Sequence, residues 1–327
     1  WAASMEGRAG WSCKIKRTEP GRGPLGCGGA KNAAVRASSG RFIMLQDADD
    51  VSHPQRLQSQ LEAALQAPTH TLLGANFERH PPGATRHYTA WANSLTQEAL
   101  MLQRFRECTV IAPTWFMSRE TFERSGGFGL TLGDDLQLFQ RHCSAGGTLR
   151  RVGCGSDGRA PLLTYRHHPE SLSAATPRSV LLRIRASAFL EAVLEGELGR
   201  GVEPPWEEGF TVWNAGRDGK QFVKSLPWRW QTRCRAFCDV DTRKIGTSVD
   251  LSFSPSDNND DEIRGSSPEE RDKIRHRRVP VVHWRDARPP LVLCVAMGRT
   301  DGVFEANVEE LATKLGLREG FHYWHFN

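Results

Sequence analysis

The chain has 327 residues, of which 39% are hydrophobic and 25% are charged, and its formal net charge is +5. These proportions are typical of a globular protein of about two domains and argue against an intrinsically disordered chain. No apolar run approaches membrane-spanning length and no dense basic stripe is visible, so we expect no membrane span and no nucleic-acid partner. The eight cysteines form no Cys-x-x-Cys pair. Together with the lack of a signal-peptide pattern, this predicts reduced thiols and a cytoplasmic protein.

Residues 1–27 show no apolar pattern with the period of a strand or a helix. Glycine, arginine and lysine stand among small residues, and no apolar run exceeds three residues. We therefore predict that this segment is atypical and disordered.

The first strong pattern is an apolar run of strand length, residues 42–45, followed closely by Asp47, Asp49 and Asp50. Parallel strands buried on both faces read as continuous apolar runs, and ligands of α/β sheets lie beyond the carboxyl ends of such strands. Asp47 and Asp49 are two residues apart, so on an extended chain they point to the same side. Two carboxylates placed in this way suit Mg²⁺ or Mn²⁺ holding a phosphate. The alternative is an acidic turn that caps the next helix, predicted at about residues 54–66.

A small-residue segment precedes this strand, and a second acidic pair follows it. Residues 28–35 read Gly-Gly-Ala-Lys-Asn-Ala-Ala-Val. Further along, Gly-Gly-Phe at residues 126–128 is followed by Asp134 and Asp135, and then by apolar residues at helical spacing as far as Cys143. The acid pair therefore opens a helix, where acids are favoured in any case by the helix dipole.

Aromatic and basic side chains accompany these motifs. Trp115 and Phe116 could pack in the core or form an exposed platform on which a sugar ring stacks, since aromatic rings serve both purposes. Arg166, His167 and His168 stand together before a proline, and a long helix follows. A lone histidine is usually not a metal ligand, but two adjacent ones beside an arginine make His168 a candidate.

A proline pair, Pro204 and Pro205, marks a linker at residues 203–208. We assign residues 209–327 to a second domain. Within it, an insertion at about residues 254–278 is acidic and then basic, which predicts a disordered loop.

The second domain begins with an apolar strand, a tight turn and a helix, and its next strand ends in Asp239 and Asp241. This is the order of a Rossmann βαβ unit with a ribose-binding acid. Asn214 stands where the fingerprint has its first glycine, so the motif is degenerate. The domain is therefore either a nucleotide-binding unit or a scaffold used for packing.

The motifs before residue 203 resemble those of the family 2 glycosyltransferases of GT-A fold: a Lys-Asn helix, an apolar strand with Asp-x-Asp-Asp, Gly-Gly-Phe with an acid pair, and Tyr-Arg-x-His-Pro. A finer resemblance, to one protein that carries such a domain, runs from about Gly28 to Asn327. It implies an α/β protein with a GT-A domain at residues 28–202 that lacks its first strands, followed by a Rossmann-like α/β domain.

By this resemblance, the chain is a hexosyltransferase that moves a sugar from a UDP-sugar to a hydroxyl of an unknown acceptor, a glycan or a protein, with inversion. Asp47, Asp49 and His168 would hold Mn²⁺ or Mg²⁺, and Asp135 would be the general base. The residues in contact with the nucleotide would be Lys31, Asn32, Asp47 and Arg166.

Two other functions stay open. An NAD-linked oxidoreductase would need an intact glycine fingerprint and a catalytic Tyr-Lys or His-Asp set, and the sequence shows neither. A non-catalytic sugar-nucleotide-binding or interaction protein is the stronger alternative, because the opening strand that holds part of the family's nucleotide pocket has no counterpart here.

Overall fold

The structure is a computed structural model that describes residues 14–15, 23–153, 158, 160–251, 277–296, 298, 300 and 302–326, apart from the side chains of residues 173 and 174. Its helices are α1 (Gly26–Ala37), α2 (Arg56–Gln66), α3 (Arg86–Ser94), α4 (Gln97–Leu102), α5 (Arg119–Arg124), α6 (Asp134–Ser144), α7 (Leu172–Ala175), α8 (Arg178–Phe189), α9 (Arg217–Lys224), α10 (Trp228–Gln231) and α11 (Val303–Leu315). Its strands are β1 (Phe42–Met44), β2 (Val51–Ser52), β3 (Thr71–Ala75), β4 (Phe77–His80), β5 (Phe116–Ser118), β6 (Thr148–Val152), β7 (Leu163–Arg166), β8 (Phe210–Trp213), β9 (Cys234–Asp239), β10 (Ser248–Asp250), β11 (Arg278–His283), β12 (Leu291–Leu293) and β13 (Tyr323–His325).

The two segments predicted to be disordered, residues 1–27 and about 254–278, fall mostly outside the described residues. Where they are described, a helix begins at Gly26 and a strand begins at Arg278. None of the described helices is long and apolar enough to cross a membrane.

Two sheets form the first part of the fold. In the four-stranded sheet, of order β1-β5-β3-β6, β3 and β6 are parallel, while β5 runs antiparallel to both β1 and β3. A three-stranded sheet has the order β2-β7-β4. Strand β2 starts directly after Asp50 and pairs with β7, with Val51 opposite Thr164. This pairing brings the acidic turn after β1 next to the segment that follows β7.

Trp115 and Phe116 belong to the core of this part. Trp115 is fully buried, donates its indole N–H to the carbonyl of Val110 at 3.0 Å, and stacks on Phe128 with ring centroids 6.2 Å apart. Phe116 is also buried and stacks on Phe42 at 5.3 Å. Of the two interpretations of these aromatics, core packing is therefore correct, and neither forms an exposed sugar platform.

The second part is built on a six-stranded sheet of order β10-β11-β9-β8-β12-β13. Strands β8, β9, β11, β12 and β13 are parallel, and β10 is an antiparallel edge strand. Counted along the chain, the parallel strands have the order 3-2-1-4-5, which is the strand order of dinucleotide-binding Rossmann folds. The predicted fold class, two successive α/β units of which the second is Rossmann-like, is confirmed.

The turn after β8 uses its polar groups inside the protein. Asn214 has a φ of 110°, accepts the N–H of Gly216 at 2.8 Å, and donates its side-chain amide to the carbonyl of Cys294 at 2.7 Å. Asp239, at the end of β9, accepts the N–H of Ala215 at 3.0 Å and the ammonium of Lys244 at 2.8 Å. The groups that would bind pyrophosphate and ribose in a dinucleotide site are thus engaged, which favours the scaffold interpretation of this domain.

The two parts share one hydrophobic core. Phe105 packs edge-on against Trp324 of β13, with ring centroids 5.3 Å apart, and against Phe189 at the end of α8 at 5.2 Å. Phe189 also contacts Phe326 at 6.1 Å, and all four rings belong to a single buried cluster. The last residues of the chain therefore help to fix α8 of the first part.

We expect the Rossmann-like part to bind neither NAD⁺ nor NADP⁺ tightly, because the side chains of Asn214 and Asp239 accept the N–H groups of the turn after β8. Isothermal titration of the full chain with each cofactor should give no saturable heat at micromolar concentrations. A dissociation constant in the micromolar range would contradict this and revive the oxidoreductase interpretation.

Candidate functional site

The acidic turn after β1 is anchored by a buried guanidinium. Arg56, on α2, is 1% exposed and donates to the carbonyls of Leu45 at 2.8 Å and Pro113 at 2.7 Å. It also donates to the side chains of Gln46 and Ser52, both at 3.0 Å. These bonds hold both ends of the segment that contains the aspartates, because Gln46 precedes them and Ser52 follows them.

Asp47 is paired with a lysine from α1. The ammonium of Lys31 lies 3.3 Å from the carboxylate of Asp47 and 5.3 Å from the centre of the Phe128 ring. Burial by itself lowers the pKa of Lys31, but the neighbouring Asp47 and Cys27 outweigh it and raise the pKa above its usual range. Lys31 is therefore a permanent cation next to Asp47.

Asp49 has a different partner. The chain is not extended here, because it turns between Asp47 and Asp50, whose N–H donates to the carbonyl of Asp47 at 3.3 Å. The carboxylate of Asp49 lies 3.0 Å from Nε2 of His168, and Nδ1 of His168 lies 3.4 Å from Glu170. Asp49 and His168 thus meet as predicted, although Asp47 does not join them.

The donor atoms of Asp49 and His168 fit a metal ion that takes its remaining ligands from a substrate. Mg²⁺ is commonly held by one or two protein ligands together with phosphate oxygens and water. Within the part of the chain that the structure describes, no group of three or more histidine, cysteine, aspartate or glutamate side chains could hold a metal ion. The protein alone would therefore supply two ligands, and the predicted set of three remains a prediction.

Asp50 and Arg166 connect the turn to β7 through the backbone. One oxygen of Asp50 accepts the backbone N–H of Arg166 at 2.9 Å, while its other oxygen is buried without a hydrogen-bond partner among the described residues. Burial raises the pKa of Asp50 to about 6. The negative charges of Asp47 and Asp49 also raise this pKa, while the hydrogen bond from the Arg166 N–H lowers it. Arg166, predicted to contact the nucleotide, is exposed, and the contact that the structure gives it comes from its backbone.

Asn32, also predicted to contact the nucleotide, instead positions a glycine turn. Its side chain donates to the carbonyl of Phe128 and accepts the N–H of Phe128, both at 2.9 Å. Gly127, in the left-handed region at a φ of 63°, lies so close that an added Cβ would stand 2.9 Å from the Asn32 amide oxygen. Asn32 therefore acts on the turn that leads to Asp134 and Asp135, and its predicted contact with a nucleotide stays a prediction.

Asp135 lies in the first turn of α6 and faces a cavity. One of its oxygens accepts the N–H of Leu136 at 2.7 Å. Burial raises the pKa of Asp135, and the negative charges of Asp134 and Glu107 raise it further. The hydrogen bond from the Leu136 N–H lowers this pKa but does not cancel the rise. A carboxylate whose pKa is shifted toward neutral pH is a better proton acceptor than an ordinary one.

The site cavity, of about 390 Å³, joins these features. Lys31, Asp47, Asp134 and Asp135 line it, so the strand end and the helix start predicted from the sequence do meet. Asp49 and His168 are not among its lining residues.

Four further polar residues line the site cavity: Arg79, Tyr88 and Glu107, which carry no signal in the sequence, and Tyr165, which opens the Tyr-Arg-x-His-Pro motif. The guanidinium of Arg79 stacks 3.8 Å from the centre of the Tyr165 ring, and the hydroxyl of Tyr88 donates to the carbonyl of Cys108 at 2.8 Å. They come from β4, α3, β7 and a loop, and no spacing rule joins such distant segments.

Comparison with known proteins agrees with this description. Residues 12–126 match the family model of glycosyl transferase family 2. The matched region contains Lys31, Asn32 and the acidic turn, and it ends before Asp134 and Asp135. The match supports the predicted resemblance to family 2 glycosyltransferases.

Among solved structures, the chain is similar to the crystal structure of S. aureus TarS 1–349 in complex with UDP-GlcNAc. The identity is 13% and the TM-score is 0.42. The comparison covers 64% of this chain and 65% of that one, which is just under two thirds of each.

Replacing Arg56 with methionine should lower the free energy of unfolding by about 2–4 kcal/mol, because two buried carbonyls lose their donor. Urea denaturation measures this change. Arg36→Met, which removes an exposed guanidinium from α1, is the matched control and should change stability by less than about 0.5 kcal/mol. Equal stability of the two variants would show that Arg56 does not anchor the turn.

Proposed function

We propose that the site cavity is the active site of a glycosyltransferase that moves a sugar from a UDP-sugar to an acceptor hydroxyl with inversion. The observation that supports it best is that Lys31, Asp47 and Asp135 line one cavity. A lysine–aspartate pair at a strand end offers a nucleotide diphosphate a positive charge and a hydrogen-bond acceptor. A separate carboxylate across the same space offers a base to the attacking hydroxyl.

In the proposed reaction, Asp135 accepts the proton of the acceptor hydroxyl as its oxygen forms a bond to the anomeric carbon. The bond from that carbon to the diphosphate breaks, and UDP leaves with the electron pair. Attack on the face opposite to the leaving group inverts the anomeric centre. The Lys31 ammonium, fixed by Asp47 in a partly buried place, would stabilise negative charge on the departing diphosphate.

Asp49 and His168 would hold the divalent cation, with Asp47 adjusting the charge beside it. Mn²⁺ or Mg²⁺ bound there would supply Lewis-acid neutralisation of the diphosphate. The side chains of both residues are a little less than half exposed, at 48% and 42%, so a substrate phosphate could reach the same point.

The donor proposed is UDP-N-acetylglucosamine. It rests on a finer resemblance of the chain from about Gly28 onward, to the protein called UDP-GlcNAc:βGal β-1,3-N-acetylglucosaminyltransferase-like protein 1. Side-by-side assays with UDP-N-acetylglucosamine, UDP-galactose and UDP-glucose would test this choice.

The alternative is a non-catalytic protein that binds a sugar nucleotide. Two observations favour it. Lys31 neutralises Asp47, one of the predicted metal ligands, and the Asp49–His168 pair offers a metal ion only two protein ligands. Under this alternative, UDP binds with or without Mn²⁺, and no form of the protein transfers sugar.

Titration with UDP, with and without Mn²⁺, separates the roles of the acidic residues. Asp49→Asn and His168→Gln should each remove the gain in UDP affinity that Mn²⁺ brings, because they delete the two converging donor atoms. Asp47→Asn should weaken UDP binding in both conditions, because Lys31 loses its partner. If Asp49→Asn keeps the full Mn²⁺ gain, the cation is held elsewhere.

Asp135→Asn should lower the transfer rate by roughly 10²- to 10⁴-fold while UDP-sugar binding is retained. Asp134→Asn is the matched control and should have a milder effect, because Asp134 packs against Gly28 of α1. Wild-type turnover by Asp135→Asn would mean that another residue is the base.

The pH profile gives a second measure of Asp135. The base must be ionised, and burial raises its pKa above the ordinary aspartate value of 3.8. The acidic limb of kcat/KM should therefore lie above pH 3.8, with activity lost as the pH falls through it. A limb at or below that value would contradict the assignment.

A further inference from the structure

A second cavity, of about 440 Å³, lies where the two parts of the fold meet. We call it the junction cavity. Four arginines line it: Arg86 of α3, Arg106 of the loop after α4, and Arg178 and Arg185 of α8. Glu107 is the acidic residue of its lining.

The junction cavity adjoins the site cavity. Tyr88, Glu107 and Leu181 line both. A molecule that presents a hydroxyl to Asp135 could therefore extend between these three residues into the junction cavity. Asp49 and His168, proposed to hold the cation, are among the lining residues of neither cavity.

The wall supplied by the second part is the loop after β12, represented by Ala296. Strand β12 neighbours β8 in the sheet, at the point where the strand order reverses. Open α/β sheets bind ligands at this point, beyond the carboxyl ends of the strands. Gly298 of the same loop approaches so closely that an added Cβ would clash with the His87 ring, so α3 is seated against this edge.

The positive charge of the junction cavity is only partly compensated. Arg178 pairs with Asp218 at 3.0 Å, and Arg185 lies 3.8 Å from Glu107. Arg106 is 4% exposed; its NH2 group lies 3.5 Å from Glu305, but its Nε is buried without a hydrogen-bond partner among the described residues. Arg86 is exposed and has no ion pair within the described part of the chain.

Helix α3 adds its amino terminus to the same cavity. Thr85 precedes the helix at a φ of 46°, its side chain does not cap the helix, and the first turn contains no acid. An uncapped amino terminus carries partial positive charge and free N–H groups, which favour an anion. Because Thr85, Arg86 and His87 all line the junction cavity, the helix end and the guanidinium groups act on one volume.

We propose that the junction cavity binds a phosphate group of the acceptor substrate, a role that rests on the transferase function proposed above. A phosphate accepts several charge-assisted hydrogen bonds at once, and arginine supplies them in paired geometry. The guanidinium of Arg86, which is exposed and has no ion pair within the described part of the chain, gives the phosphate donors. Binding there would orient the acceptor with its hydroxyl toward Asp135.

The test is equilibrium dialysis of the full chain with radiolabelled inorganic phosphate, without any UDP-sugar. Arg86→Gln should weaken phosphate binding about 10-fold, the loss expected for one charge-assisted hydrogen bond. Arg183→Gln is the matched control, since Arg183 is exposed on α8 but lies outside the junction cavity, and it should bind phosphate as the wild type does. Unchanged binding by Arg86→Gln, or an equal loss in Arg183→Gln, would overturn the proposal.

Lys31→Met separates this site from the donor site. If phosphate binding is kept in Lys31→Met and lost in Arg86→Gln, the ion occupies the junction cavity. The opposite result would place it beside Asp47 and overturn the proposal. This test measures binding and not sugar transfer. If the protein passes it but never transfers sugar, the proposed transferase function is wrong and the phosphate site stands.

Competition with organic phosphates identifies the form of the acceptor group. Methyl phosphate should displace the label if the acceptor carries a terminal phosphate, and dimethyl phosphate should do so if the phosphate is internal. If neither competes at concentrations at which unlabelled phosphate does, the cavity holds a free ion and the acceptor assignment is wrong.

Discussion

The buried guanidinium of Arg56 determines where the chain turns after β1, and the rest of the candidate site depends on that turn. Burial lowers the pKa of Arg56 to about 10, although Asp50 and Asp47 partly offset this effect. The guanidinium is therefore still charged at neutral pH. It donates its hydrogen bonds to backbone carbonyls and to neutral side chains. Its nearest negative charges are those of the acidic turn. The aspartates consequently have a structural role as well as a chemical one, since they stabilise the cation that holds them in place.

A second constraint acts between α1 and the glycine turn before α6. An added Cβ on Gly28 would clash with the carbonyl of Gly129, so the helix can approach the turn only because this residue has no side chain. Asn32, one turn further along the same helix, then bonds both backbone polar groups of Phe128. The small-residue motif therefore serves close packing, and through this packing it sets the distance from Lys31 to Asp134 and Asp135.

The parts of the site that the sequence predicts are those set by local rules. An apolar run followed by carboxylates indicates a buried strand with its ligand-facing end, and an acid pair before helical spacing indicates a helix start; Asp47 and Asp135 follow from these rules. No local rule joins Asp49 to His168, which is 119 residues away in the chain; only the family resemblance predicted that pair, and the pairing of β2 with β7 brings the two residues together. Trp115 was ambiguous for the same reason, since an aromatic side chain fits a core or a surface and only the tertiary structure decides.

The Rossmann-like part keeps the topology of its fold, while the groups at the usual dinucleotide-binding positions form hydrogen bonds within the protein. Its strand order is that of a dinucleotide-binding sheet, yet Asn214 and Asp239 close its glycine turn from within. What remains open is the crevice where the strand order reverses, and arginines of α3 and α8 now face that edge. Because Phe105, Phe189, Trp324 and Phe326 form one core across the junction, and packed cores deform little, this core fixes the two walls of the crevice relative to each other. The second part therefore contributes to the first through the shape of the shared core and through the wall at Ala296.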